Sequence, residues 1–124
     1  MIRRPDNSTI CVVDTQPDDY SALVQNAPKE KAEVRFLNCG RAALRLKAGS
    51  PPELWIINMR LPDMSGLDLY GMIRSRYPGV PVYLVADNYQ AEDEINARSC
   101  GATMYFCKPL QSDWLLAPKS RNTG

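Results

Sequence analysis

The stretch Leu54–Gly66, reading Leu-Trp-Ile-Ile-Asn-Met-Arg-Leu-Pro-Asp-Met-Ser-Gly, limits the fold more than any other part of the chain. Leu54 to Ile57 is a continuous apolar run with two β-branched residues and a tryptophan, the pattern of a strand buried on both faces. Asn58 puts a polar side chain at the carboxyl end of that strand. Pro62, Asp63, Ser65 and Gly66 make a loop, in which proline fixes φ and glycine admits unusual backbone angles. Leu67, Leu69, Tyr70 and Ile73 then follow at helical spacing, and the pattern stops before Pro78 and Gly79. In open α/β sheets the chemistry sits just outside the carboxyl ends of the strands, so Asn58 marks where function is to be sought.

The same alternation runs through the whole chain. Thr9–Val13 is a β-branched strand ending at Asp14, followed by a turn at Thr15, Gln16 and Pro17. Pro17 suits a first helical position, and Asp18 and Asp19 favour the positive end of a helix that runs through Tyr20, Leu23 and Val24 and stops before Pro28. Lys29–Glu33 is a charged connector, and Val34–Leu37 is a strand placed nearer an edge by the interleaved Arg35. Asn38, Cys39 and Gly40 turn the chain into a short helix through Ala42, Ala43, Leu44 and Leu46, closed at Gly49. Val80–Ala86 is a fourth strand with Asp87, Asn88 and Tyr89 as its exit loop. Gln90–Cys100 is a polar helix stopped by Gly101, and Thr103–Cys107 is a fifth strand ending at Lys108-Pro109. Ser112–Leu116 starts a last helix that Pro118 cuts short; Trp114 and Leu115 either anchor it by packing, the simpler reading, or meet a partner. Strand and helix alternating five times imply a parallel sheet with right-handed crossovers and helices on both faces. Residues 1–8 are expected to be a frayed tail, 9–117 one domain, and 118–124 a polar tail.

Length and charge narrow the function. A chain of 124 residues has room for one domain with one core. Fifteen lysines and arginines against fourteen acidic residues leave a net charge of +1, which gives no electrostatic case for nucleic acid or an anionic membrane. No apolar run approaches the ~20 residues of a membrane span, and the basic start has no apolar signal-peptide core behind it, so cytoplasm is the default expectation. Cys11, Cys39, Cys100 and Cys107 form no C-x-x-C pair, and with no histidine in the chain a zinc site or a histidine-activated nucleophile is not indicated. Cys11 and Cys107 lie in apolar runs and read as small buried hydrophobes. Trp55 is expected to face the core and Asp63 to serve the turn.

Three strands end in polar residues, namely Asp14, Asn58 and Lys108, and in a doubly wound sheet these ends share one edge. With Val12-Val13-Asp14, Arg60-Leu61-Pro62-Asp63-Met64-Ser65-Gly66, Pro81-Val82-Tyr83-Leu84-Val85, and Gly101-Ala102 through Tyr105 to Lys108-Pro109, the chain resembles the receiver domain of two-component response regulators over residues 9–117. The resemblance implies an α/β, flavodoxin-like (βα)5 doubly wound parallel sheet with strand order 2-1-3-4-5 and, here, a short or truncated last helix. It also implies a place in two-component phosphorelay signalling. In that family a histidine kinase phosphorylates an aspartate at the end of the third strand. Two acidic residues after the first strand help to hold Mg²⁺, and a threonine or serine ending the fourth strand and a lysine ending the fifth bind the phosphoryl group.

Carried over position by position, the pattern is altered. Asp14 matches one residue of the acidic pair, but Thr15 stands in the other place. Asn58 stands at the phosphoacceptor position and Ala86 at the threonine or serine position. Lys108 is the family-type lysine, Tyr105 is the aromatic switch position, and Asp87 replaces a residue that is usually small. A carboxamide is too poor a nucleophile to form an acyl phosphate. Mg²⁺ favours anionic oxygens, so the remnant set of Asp14, Asn58 and the Arg60 carbonyl should bind it weakly or not at all. Asp14 could instead be balanced by Lys108. Asp87 has two fates: pointing to solvent or capping the next helix, the commoner outcome, or reaching Lys108 in place of an absent phosphoryl group.

The expectation is therefore a pseudo-receiver, not an enzyme, that works by protein–protein contact. A sensor kinase, an effector domain or another receiver would dock on the fourth helix, fifth strand and last helix, with a homodimer among the allowed assemblies. The residues concerned are the surface of Gln90–Cys100, Tyr105 and Asp113–Leu116, with Tyr105 fixed inward or outward. The chain reads equally as a stand-alone protein or as one domain of a larger one. The competing readings are a functional receiver with a non-standard acceptor and a small-ligand-binding flavodoxin-type module. The latter lacks a glycine-rich phosphate loop in Asp14-Thr15-Gln16-Pro17-Asp18-Asp19.

Overall fold

A computed structural model describes residues 8–26, 32–46 and 51–110. Five strands form one parallel sheet: β1 (Ser8–Val13), β2 (Ala32–Leu37), β3 (Leu54–Asn58), β4 (Val82–Ala86) and β5 (Met104–Cys107), in the order β2-β1-β3-β4-β5. The helices are α1 (Ser21–Asn26), α2 (Gly40–Leu44), α3 (Gly66–Arg76) and α4 (Ala91–Cys100). This is the doubly wound flavodoxin-like topology, and the Arg35-bearing strand is at one edge.

The strand ends shift by one or two residues from the sequence expectation. β2 begins at Ala32 instead of Val34, because parallel pairing to Ser8 and Thr9 of β1 recruits residues that carry no strong apolar signal. β4 begins at Val82 because Val80 closes the turn onto the Tyr77 carbonyl and Pro81, which accepts from the Trp55 N–H, has no N–H of its own to give a ladder. The first helix opens as a 3-10 turn over Pro17–Tyr20 before becoming α-helical at Ser21. α2 ends at Leu44, earlier than expected; Gly49, the last helix with Trp114 and Leu115, and the two tails lie outside the described residues.

The core divides by the period-two alternation of the strands. Cys11, Val13, Trp55, Ile57, Val82, Leu84 and Ala86 face the layer of α2, α3 and α4, where they meet Ala43, Leu69, Ile73 and Ala97. Ile10, Val12, Leu54, Ile56, Tyr83 and Val85 face the other layer with Tyr20 and Leu23. Each large side chain buried this way contributes roughly 1.5–3 kcal/mol. Trp55 is fully buried, its ring 5.8 Å from that of Tyr77. Burial pushes the Cys11 thiol up to about 11, so it stays a neutral hydrophobe. Cys107, expected to be buried, is only partly so, since its strand has a half-exposed pattern throughout.

The unit β3–α3 straps its neighbours together. Ser65 caps α3 by accepting the Asp68 N–H at 3.0 Å. Asp63 is more than a turn residue: its two carboxylate oxygens accept the Gly40 and Arg41 N–H groups at 2.9 and 2.8 Å, capping α2 across the chain. At the far end of α3, Arg76 donates to the Leu44 carbonyl at the end of α2. Arg74 donates to the Cys100 carbonyl at the end of α4, at 3.1 Å.

Candidate functional site

The alternation that builds the core also builds the site. Asn58, the last residue of β3, continues the face of Ile56, and just past their strands Asp14 continues that of Val12, Asp87 that of Val85 and Lys108 that of Phe106. All four therefore converge at the carboxyl edge of the sheet, on the side of α1. Ala86 and Tyr105 have the opposite parity and sit in the layer of α4.

Lys108 is the centre of the cluster. Its Nζ lies 3.0 Å from Asp14 Oδ2, 2.8 Å from Asp87 Oδ1 and 2.7 Å from Asp19 Oδ2. Three carboxylates thus surround one ammonium, with the Asp19 contact a well-aligned hydrogen bond. The side chain is only 9% exposed, and Nζ lies 5.5 Å from the centre of the Tyr20 ring. Burial would pull its pKa down, but the hydrogen bonds it donates to Asp19, Asp87 and Asp14 outweigh that and the net shift is upward. The Lys108 hydrogen bond is the chief reason that Asp87 is held below the usual carboxylate range.

Asn58 fills the space between the acids. Its Nδ2 donates to Asp14 Oδ2 and to Asp87 Oδ1, both at 3.0 Å, and its Oδ1 accepts the Arg60 N–H at 2.8 Å. That set of partners fixes the orientation of the amide, since only the NH₂ end can face two carboxylates. Asp14, buried at 3% exposure, also accepts from Tyr20 Oη at 2.7 Å and from the Gln16 N–H at 3.0 Å. Burial, followed by the Asp14 charge, pushes the Tyr20 phenol strongly up, so it remains a donor. Gly66 is required by this closure: its N–H donates to the Met59 carbonyl at 2.7 Å, and a Cβ there would lie 2.1 Å from the Asn58 carbonyl oxygen.

The structure thus brings Asp14, Asn58, Asp87 and Lys108 into one network. Thr15 is exposed at its margin, and Ala86 is fully buried and offers no hydroxyl. Among the described residues Asp87 caps no helix; the residue at the start of α4 is Gln90, without a side-chain cap. Tyr105 is partly buried, with burial and then the Asp93 charge pushing its phenol up. Sequence reasoning misses two members. Asp19 reads as a helix-start residue but turns to Lys108, and Tyr20 reads as part of a helix but also serves Asp14. Their placement depends on the 3-10 turn, for which Pro17 followed by two acids is the only local signal.

Mg²⁺, which the resemblance implies, does not fit this donor set. A divalent cation needs free anionic oxygens. Here Asp14 Oδ2 already takes Tyr20, Asn58 and Lys108, and the Asp87 oxygen nearest the site takes Asn58 and Lys108.

Comparison with known proteins agrees with this architecture. The sequence pattern of the response regulator receiver domain matches residues 10–118. The chain belongs to the response regulator receiver domain family, the signal-receiving module of two-component systems. It is 33% identical over 108 residues to the transcriptional regulatory protein KdpE of Mycobacterium tuberculosis, covering 87% of this chain and 47% of that protein. It is 30% identical over 106 residues to the regulatory protein AtoC of Escherichia coli, covering 86% of this chain and 23% of that protein. The chain spans less than half the length of these relatives. Among solved structures, a CheY-like receiver domain protein from Methanospirillum hungatei superposes with a TM-score of 0.78 at 23% identity, covering 93% of this chain and 92% of that one. A response regulator from Burkholderia pseudomallei carrying a phosphorylated aspartic acid and a calcium ion gives 0.77 at 19% identity, covering 94% and 72%. At these identities the likeness is one of fold. Among the described residues no helix is long and apolar enough to cross a membrane.

Proposed function

We propose that this receiver domain signals without phosphoryl transfer at residue 58, as a pseudo-receiver that works through protein contacts. The observation that carries the reading is the bonding of Asn58: both N–H bonds of its amide are spent on Asp14 and Asp87, and its oxygen is spent on Arg60. An acceptor must present a nucleophilic oxygen to its donor. Residue 58 presents instead a neutral amide covered by the Asp87 carboxylate, which touches the Asn58 amide and the Lys108 ammonium together. In this reading Asp87 stands in for a phosphoryl group and Lys108 for a bound cation, so that one conformation is favoured without either.

The partner is a protein of the same signalling system: a sensor kinase, an effector domain or another receiver, a second copy of this chain included. It docks on α4, β5 and the segment that follows, of which Asp113–Leu116 lie outside the described residues. The domain itself binds neither nucleic acid nor membrane, catalyses no reaction and works in the cytoplasm. The test is incubation with acetyl phosphate and Mg²⁺, or with a histidine kinase, followed by intact mass and peptide mapping. The unmodified mass is expected; a stoichiometric, hydroxylamine-labile gain of phosphate anywhere in the cluster overturns the reading.

A further inference from the structure

α4 is attached to the domain by unusual means. A surface helix normally holds its sheet through an apolar stripe. The buried side chains of α4 are Ala97 and a carboxylate, Asp93, while Ile95, its one large aliphatic residue, is 62% exposed. Polar ties take over at both ends. At the C-terminal end Arg74 Nη1, held by Tyr70 Oη at 2.9 Å, donates to the Cys100 carbonyl. At the N-terminal end the Arg60 guanidinium forks onto Asp93, with Nη1 at 2.9 Å from Oδ2 and Nη2 at 3.3 Å from Oδ1, and Nη2 also reaches Gln90 Oε1 at 3.2 Å.

The two partners are unequally placed. The Asp93 side chain is 9% exposed and that of Arg60 57% exposed. A nearly buried carboxylate without its cation is costly, so the pair matters more than an ordinary surface ion pair. Arg60 is also rigidly based, since its backbone N–H is fixed by Asn58 Oδ1 two residues back. One residue therefore holds the cluster at the end of β3 with its backbone and α4 with its side chain.

We propose that Arg60 is the positioning residue of α4: the Arg60–Asp93 pair sets where the first turns of that helix lie, and with them the shape of the α4–β5 surface. The proposal rests on the geometry of Arg60 and not on the phosphate-independent reading of residue 58, so each fails on its own measurement.

Native-state hydrogen exchange on the full chain tests it. Arg60→Ala is expected to speed exchange of the α4 amides about tenfold while the β3 amides keep wild-type protection. Arg60→Lys, which keeps the charge and loses the fork, gives a smaller but equally selective effect, and it serves as the variant to read should Arg60→Ala not fold. In the Arg60→Ala/Asp93→Ala double variant, Arg60→Ala adds far less to the effect of Asp93→Ala than it causes alone, because the carboxylate it would strand is gone and only the exposed contact to Gln90 is left to lose. Unchanged α4 protection in a folded variant, loosening shared equally by β3, or additive effects in the double variant would each overturn the proposal.

Discussion

Asp87 and Lys108, from the ends of the adjacent strands β4 and β5, are joined at 2.8 Å from carboxylate oxygen to ammonium. Lys108 also serves Asp14 and Asp19, so the pair is the rim of a three-acid cage around one cation, with the Asp87 side chain 56% exposed and that of Asp14 only 2%.

The cage makes its two kinds of member unequal. Replacing Lys108 with methionine strands the buried Asp14 charge and should cost about 3 kcal/mol, read as a drop in the urea midpoint. Replacing Asp87 with asparagine keeps a hydrogen-bond acceptor at an exposed site and should cost well under about 1 kcal/mol. Equal losses from the two changes would count against Lys108 as the centre.

Asn58→Asp puts a third carboxylate between Asp14 and Asp87 and removes both amide donors. It should destabilise the domain by about 2 kcal/mol in the absence of divalent cations. Millimolar Mg²⁺ or Ca²⁺ should restore the loss in the variant and leave the parent chain's melting temperature unchanged. A parent chain stabilised by Mg²⁺ to the same extent would refute this account of the pocket.

The pH dependence follows from the signs of two shifts. Asp87 is depressed in the folded state, so its contribution is present above its unfolded value of about 3.9 and lost as pH falls through the lower folded value. Lys108 is raised, so its contribution is present below its unfolded value of about 10.4 and lost as pH climbs through the higher folded value. Between these limits the cluster contributes a constant amount. The stability difference between the parent chain and Asp87→Asn should be level from about pH 5 to pH 9 and shrink in acid. Denaturant midpoints across that range test it.

Two glycines in one helix should respond in opposite directions. Gly66→Ala drives a methyl into the backbone of Asn58 and should cost about 3 kcal/mol or more. Gly71 lies inside α3, and a methyl group added to it would meet nothing within 4 Å. Gly71→Ala should therefore stabilise the domain by about 0.5–1 kcal/mol. Thermal melts of the two variants decide both.

Much of this is visible in the chain because buried parallel strands have an unmistakable pattern. Leu54–Ile57 and Val82–Val85 are apolar without interruption, and Asp14, Asn58 and Lys108 stand where such patterns break. Harder to see is anything carried by a side chain reaching across the fold. Asp63 looks like loop chemistry until α2 is placed beside it, and Arg60 looks like a solvated charge until Asp93 turns inward. The edge strand β2 reads as too short because Ala32 and Glu33 carry little hydrophobic signal and join the sheet through their backbone pairing. Asp19 escapes notice because its partner is 89 residues away.

The strapping of α2 and α4 to β3–α3 also has an engineering consequence. A cut or a graft between Met59 and Ser65 would sever the anchors of two flanking helices at one stroke, whereas the turn around Gly79 holds neither and has open space about that glycine. A circularly permuted chain opened at Gly79 should therefore fold, while one opened at Pro62 should not.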